Sequence, residues 1–247
     1  MVNNRPSQCS RAGRRLGDRH LRGVPSSRRG ERSVHRSQAV LQTSSNVVSD
    51  IEDHRLRQSA IAGPVFVGFA GSWSQPSKTR TLVEEAASRA VKRFAGSSHV
   101  FDIGDLGDTF GVASRPQQSP ALDRQLKAFL AADALIVASP VFKGSYTGLF
   151  KHFIDLIDPD RLRNKPVLLA ATGGGHRHSL VVEHQLRPLF GFFECRTLAT
   201  GIYAGPEDFA DGRLVGAETS ERLDRAVEQF ADHLAAAATG SAHRIGR

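Results

Sequence analysis

Leu135-Ile136-Val137-Ala138-Ser139-Pro140-Val141-Phe142-Lys143-Gly144-Ser145-Tyr146-Thr147-Gly148 is the stretch that decides the fold. It begins as a short apolar run rich in β-branched residues, the pattern of a buried strand. Pro140 ends the strand, because proline cannot donate to a ladder and fixes its own φ. Aromatic, cationic, glycine and hydroxyl residues then alternate up to Gly148. Beyond it, Leu149, Phe150, Phe153, Ile154 and Ile157 recur at helical spacing. A strand, a ligand-shaped loop and a helix form the unit that places binding groups at the carboxyl edge of an open α/β sheet.

The same unit occurs once before and once after. Residues 65–70 form an apolar strand, 71–77 a loop, and 78–94 an amphipathic helix with Leu82, Val83, Ala86, Ala90 and Val91 inward. A second strand at 99–103, a long polar loop to about Pro120 and a helix at 122–132 lead into the third strand at 134–138. The fourth strand, 166–170, runs into Thr172-Gly173-Gly174-Gly175. A helix at 179–190, a fifth strand at 196–203 and a closing helix at 217–238 complete the pattern. Strands alternating with helices imply an α/β fold with a doubly wound, five-stranded parallel sheet. For this length the expected strand order is the flavodoxin-like 2-1-3-4-5, which sets the loops after strands one, three and four side by side. Those are the three unusual loops.

Charge divides the chain differently. Residues 1–60 hold 12 Arg, no Lys and 5 acidic residues, whereas the remaining 187 hold 21 basic and 20 acidic residues. The net charge of +8 therefore belongs to the leader, and the body is close to neutral. The leader is expected to be disordered, the domain to span 61–240, and a short tail 241–247. Three readings of the leader stand: a basic arm for nucleic acid, although it lacks aromatics to stack on bases; a transit segment; or sequence upstream of an internal start near Val47 or Val48, without a role. Nucleic acid is not an expected partner. No apolar run of about 18 residues offers a membrane span. Cys9 and Cys195 make no disulfide framework, and a reducing, cytoplasmic setting is expected.

Loop one, Gly71-Ser72-Trp73-Ser74-Gln75-Pro76-Ser77-Lys78-Thr79, opens a helix. A helix N-terminus offers free amides and a positive dipole, and Ser72, Ser77 and Thr79 add hydroxyls for a phosphate. The plain alternative is that Ser and Thr only cap the helix. The loop is neither GxxxxGK[ST] nor GxGxxG, which disfavours a nucleoside triphosphate or a Rossmann-bound dinucleotide. Loop two can lay Pro140, Val141, Phe142 and Ser145 along a flat aromatic ligand, although Phe142 could instead be a core aromatic and Lys143 a solvated charge. In loop three, Gly173, Gly174 and Gly175 let the backbone approach a ligand closely. With no carboxylate or cysteine beside His176 and His178, a metal is not expected. A phosphate cradle with two loops suited to a flat ring describes FMN. No Ser/His/Asp order, carboxylate pair or cysteine nucleophile competes for the site. Hydride transfer to the flavin ring needs no catalytic acid or base of the protein's own.

Taken with these loops, 64–238 resembles the NAD(P)H-dependent FMN reductases of the flavodoxin-like superfamily, in particular the reductase components of two-component alkanesulfonate and methanesulfonate monooxygenases. The motifs are Gly71-Ser72 with Ser77-Lys78-Thr79, Ser139 to Gly148, Ala171-Thr172-Gly173-Gly174, and Glu183-His184-Gln185-Leu186-Arg187-Pro188-Leu189. The resemblance implies the FMN phosphate at Ser72, Ser77 and Thr79, and the ring along Pro140, Val141, Phe142, Lys143, Gly144 and Ser145 and along Thr172 to Gly175. It also implies reduction by NADPH or NADH, release of reduced FMN to a monooxygenase, and a homodimer or homotetramer. His184 falls where such reductases carry an inserted residue that makes a π-type bulge at the tetramer interface and serves flavin exchange; the plain alternative is an exposed helical His. Phe142 stands where many relatives have Tyr. Arg187, Lys143 and Arg177 are candidates for a nucleotide 2′-phosphate. Two alternatives remain: an FMN-bound quinone or azo reductase, and an electron carrier. A carrier is usually strongly acidic, unlike this body.

Overall fold

The computed structural model describes residues 63–108, 110–111 and 119–235. The leader at 1–60, the tail at 241–247 and the end of the expected closing helix, 236–238, lie outside them. Strands β1 (Val65–Ala70), β2 (Ser97–Asp102), β3 (Ala134–Pro140), β4 (Pro166–Thr172) and β5 (Arg196–Thr197) form one parallel sheet in the order β2-β1-β3-β4-β5. This is the flavodoxin-like order, and the three loops meet at its switch point. Helices α1 (Lys78–Phe94) and α5 (Ala217–Glu228) supply apolar residues to one face, while α2 (Pro120–Ala131), α3 (Gly148–Asp155) and α4 (Arg187–Phe192) cover the other. With both faces covered, β3 and β4 read as unbroken apolar runs rather than alternating ones.

Phenylalanines dominate the core beneath the site. Phe69 stacks on Phe101 and on Phe150, with centroids 5.0 and 5.4 Å apart, and meets Phe153 at 4.5 Å. All four are fully buried, and each such side chain contributes about 1.5–3 kcal/mol by leaving water. This cluster fixes the base of α3 against β1, and so fixes the loops above them.

Three expectations are corrected. The fifth strand is not continuous over 196–203: the chain leaves the sheet and returns as β6 (Ile202–Ala204), which also pairs with β4. Side chains take over the backbone groups in the gap. Arg187 donates to the Leu198 and Ala199 carbonyls, Arg222 donates to Gly201, and Gln229 accepts from the Thr200 amide. Every one of these polar groups keeps a partner without a sheet neighbour. The helix expected at 179–190 is a 3-10 turn at His176–His178, a π-helical turn at Val182–Leu186, and then α4. Pro188 has no N–H to give to the residue four before it, and the Arg187 amide reaches back five residues to the Val182 carbonyl. The closing helix breaks at Gln229, whose side-chain amide is bonded to Thr200, and resumes over 230–235. Between β6 and α5 a small hairpin forms from β7 (Phe209–Ala210) and β8 (Arg213–Leu214), where the sequence pattern carried no strand signal.

Candidate active site

Direct hydrogen bonds draw the three loops together. The Gly71 amide donates to the Ala138 carbonyl at the end of β3, and the Val141 amide to the Thr172 carbonyl at the end of β4, both at 2.7 Å. Thr147 caps α3 by accepting from the Phe150 amide, while its hydroxyl donates to the Gly71 carbonyl at 2.9 Å. Loop one is thereby tied to the start of α3, and loop two to β4.

At the N-terminus of α1 four hydroxyls converge. Ser72 and Ser77 have their Oγ atoms 2.5 Å apart, and Thr79 Oγ1 lies 2.7 Å from Thr172 Oγ1. All four residues are buried. Ser77 also caps the helix, accepting from the Arg80 amide. Hydroxyl hydrogens rotate, so this cluster can turn donors toward an anion without moving heavy atoms. The free amides of the first helical turn add to it. A cavity of about 280 Å³ opens over these groups. Gly71, Ser72, Ser77, Lys78, Thr79, Pro140, Phe142 and Thr172 line it, and so do Trp73, Ser74, Pro76 and Thr147, which sequence reasoning did not single out. Trp73 is the chain's single tryptophan, set in a loop straight after a strand, and that was the available signal. Hydroxyls and helix amides at one end, with aromatics at the other, suit a phosphate joined to a flat ring.

An ion-pair network holds loop one from below. Arg80 donates to Asp102 and Asp105 at 2.8 Å each and to Glu84 at 2.8 Å. Burial alone would lower the Arg80 guanidinium's pKa; its bonds to Asp102, Glu84 and Asp105 outweigh that and hold it above its ordinary value. Burial would likewise raise Asp105, but the Asp102 amide and Arg80 bring it below the usual range. The sequence pattern gave no hint of this network, because its members lie 22 and 25 residues apart.

The other expected residues are spread around the mouth. Val141 is half-buried against the core. Lys143 and Gly144 form the exposed tip of loop two, both at positive φ (55° and 85°), while Phe142 is 57% exposed. Ser145 Oγ donates to Gln185 Oε1 at 3.2 Å. In loop three, Gly173 meets protein rather than open space: a Cβ there would come within 2.5 Å of the Tyr203 hydroxyl. That hydroxyl donates to the Gly175 carbonyl at 2.7 Å. Gly174 and Gly175 face open space. The imidazoles of this loop have protein partners, His176 with Glu207 at 3.2 Å and His178 with Arg177 at 3.3 Å. Among the described residues no three His, Cys, Asp or Glu side chains gather as metal ligands. His184 sits exposed on the π turn, outside the cavity. Arg187 is corrected as a candidate for a 2′-phosphate. Its guanidinium is committed to Glu183, Thr197 and the carbonyls of Leu198 and Ala199.

The model of the NADPH-dependent FMN reductase family matches residues 65–210, which contain every one of these loops. The chain belongs to that family. It is 44% identical over 173 residues to the NADH-dependent FMN reductase SfnF of Pseudomonas fluorescens, covering 68% of this chain and 92% of the relative. To an FMN reductase (NADPH) of Pseudomonas aeruginosa it is 42% identical over 166 residues, covering 67% and 89%. Among solved structures, the apo form of the NADH:FMN oxidoreductase EmoB superposes with a TM-score of 0.62 at 29% identity, over 68% of this chain and 88% of that one. The chain is an NAD(P)H:FMN oxidoreductase, with FMN and a nicotinamide nucleotide as its reactants. No helix among the described residues is long and apolar enough to cross a membrane.

Proposed function

We propose that this reductase treats FMN as a travelling substrate and hands the reduced flavin to a flavin-dependent monooxygenase of the alkanesulfonate or methanesulfonate type. The observation that carries the reading is the asymmetry of the site: a buried hydroxyl cradle at one end and an exposed, weakly enclosed ring end at the other. The motif resemblance supplies the class of monooxygenase. In this reading Ser72, Ser77 and Thr79 hold the phosphate with the α1 amides, and Lys78 adds positive charge at the rim. Pro140 to Ser145 and Thr172 to Gly175 flank the ring, with Phe142 offering a face in place of a phenol. Bound FMN supplies a ring that accepts a hydride from the nicotinamide. The protein's part is to hold the phosphate, leave one ring face open for the second nucleotide, and exclude water beneath. Lys143 and Arg177, both exposed at the mouth, remain the cations that can meet a nucleotide 2′-phosphate. The π turn with His184 is read as the subunit contact of a homodimer or homotetramer acting in flavin exchange, in a cytoplasmic protein.

The test is steady-state oxidation of NADPH and NADH by flavin-stripped protein, with FMN, FAD and riboflavin titrated separately. Saturable turnover that depends on added FMN and leaves little flavin on the protein is the expected result. FMN retained through gel filtration, with turnover only when a quinone or azo dye is supplied, would replace this reading with that of a flavin-bound reductase. No nucleotide oxidation would leave the electron carrier. Light scattering at micromolar concentration reads the assembly, and a monomer would count against it.

A further inference from the structure

We propose that Gln185 is a positioning residue for loop two, through which the π turn sets the grip of the site on the flavin ring. This rests on the reading above that loop two flanks the ring. The tip of loop two is a tight turn. The Phe142 amide donates to the Ser145 carbonyl at 2.9 Å and the Ser145 amide to the Phe142 carbonyl at 3.3 Å. Both central residues have positive φ, the signature of a type I′ turn. Gly144 adopts that shape freely, but Lys143 carries a Cβ and is strained in it. A strained non-glycine residue persists when its surroundings hold it, and such residues gather at ligand clamps. From outside the turn, the hold on Ser145 is its hydroxyl bond to Gln185, 40 residues away in sequence.

Gln185 reaches Ser145 because of the π turn. Val182 and Leu186 anchor both ends of that turn in the core. Between them the Leu180 carbonyl accepts from both the Glu183 and His184 amides before the ladder shifts to a five-residue reach at Arg187. Glu183 and His184 face outward, and Gln185 is the half-buried member turned toward loop two. Removing one residue to restore an α-helical ladder would rotate position 185 by about 100° relative to the preceding turn. The widened turn therefore aims a side chain at the loop that closes on the ring, and a movement of one reaches the other.

The experiment is a double-mutant cycle of Gln185→Ala and Ser145→Ala, read as the FMN dissociation rate in stopped flow, beside melting temperature and KM for NADH and NADPH. Each single variant is expected to release FMN about two- to tenfold faster, the range of one hydrogen bond, and the double variant no faster than either. Gln185→Glu keeps the acceptor that Ser145 uses and is expected to restore the wild-type rate. Additive effects, no effect on dissociation, or a melting shift alone would overturn the coupling while leaving FMN reduction intact. A wild-type chain that failed to bind FMN would overturn the coupling together with the reading beneath it.

Discussion

The two ends of the site are built on opposite terms. At the cradle, Ser72, Ser77, Thr79 and Thr172 are at most 7% exposed, hydrogen-bonded in pairs, and braced by Arg80 and Asp102. At the ring end, Phe142 is 57% exposed, Lys143 and Gly144 turn in left-handed conformations, and Gly174 meets nothing. Recognition of a phosphate rewards a preorganised set of donors, since ordering them on binding would cost affinity. Exchange of a ring, and access for a second nucleotide, reward a wall that can give way. The difference separates what identifies the flavin from what lets it leave.

The sharpest way to break the contrast is Gly71→Ala. Its new Cβ would lie 2.6 Å from the Phe150 ring and 2.8 Å from the Phe150 Cβ. Phe150 is fully buried and stacked on Phe69, so it has no room to yield. Overpacking of this kind costs about 1–3 kcal/mol; a fall in melting temperature and a loss of FMN affinity are expected together, by calorimetry. Thr79→Val is next. It strips the buried Thr172 hydroxyl of its partner, a cost of about 1–3 kcal/mol. Titration calorimetry should show FMN binding about tenfold weaker or worse, with riboflavin, which has no phosphate, much less affected. Phe142→Ala acts at the other end and should leave the melting temperature unchanged, because the ring is mostly exposed. Loss of one aromatic contact, worth about 0.5–1.5 kcal/mol, should raise the FMN dissociation rate several-fold. If Thr79→Val and Phe142→Ala moved FMN and riboflavin alike, the division of labour between the two ends would be wrong.

The smallest expected effect concerns acid. The bond from Arg187 holds Glu183 below the ordinary carboxylate range, although burial opposes it. A depressed folded pKa contributes stability that is fully present above the unfolded value of about 4.3 and is lost as pH falls through the folded value. Glu183→Gln should therefore flatten the acid side of the stability profile, lying slightly below wild type around pH 7 and converging with it as pH falls through the folded value, as read by urea melts across pH. Since Glu183 lies on the π turn, the same variant asks whether that turn survives without its ion pair.

Much of this was legible beforehand, for particular reasons. Strands β1, β3 and β4 announce themselves because burial on both faces leaves no polar position to blur the run. The α1 boundaries, 78 and 94, follow from Ser77 as a cap and a clean apolar stripe. The cradle hydroxyls stood out because they sit where a helix begins. The split between β5 and β6 was hidden, since it depends on Arg187, Arg222 and Gln229 supplying hydrogen bonds from distant positions. That Gly173 has Tyr203 packed where a Cβ would stand was equally hidden, since the fold brings that ring from 30 positions away. Arg187 looked free because its partners at Thr197 and Leu198 are brought to it by the fold. In each case the missing information was the partner, not the residue.

Trp73 has a practical consequence. It is the chain's single indole, it lines the cavity, and it is 56% exposed. Indole emission overlaps flavin absorption, so the protein carries its own optical gauge. Tryptophan fluorescence should dim as FMN arrives and recover as it departs, timing each visit of the flavin without a label.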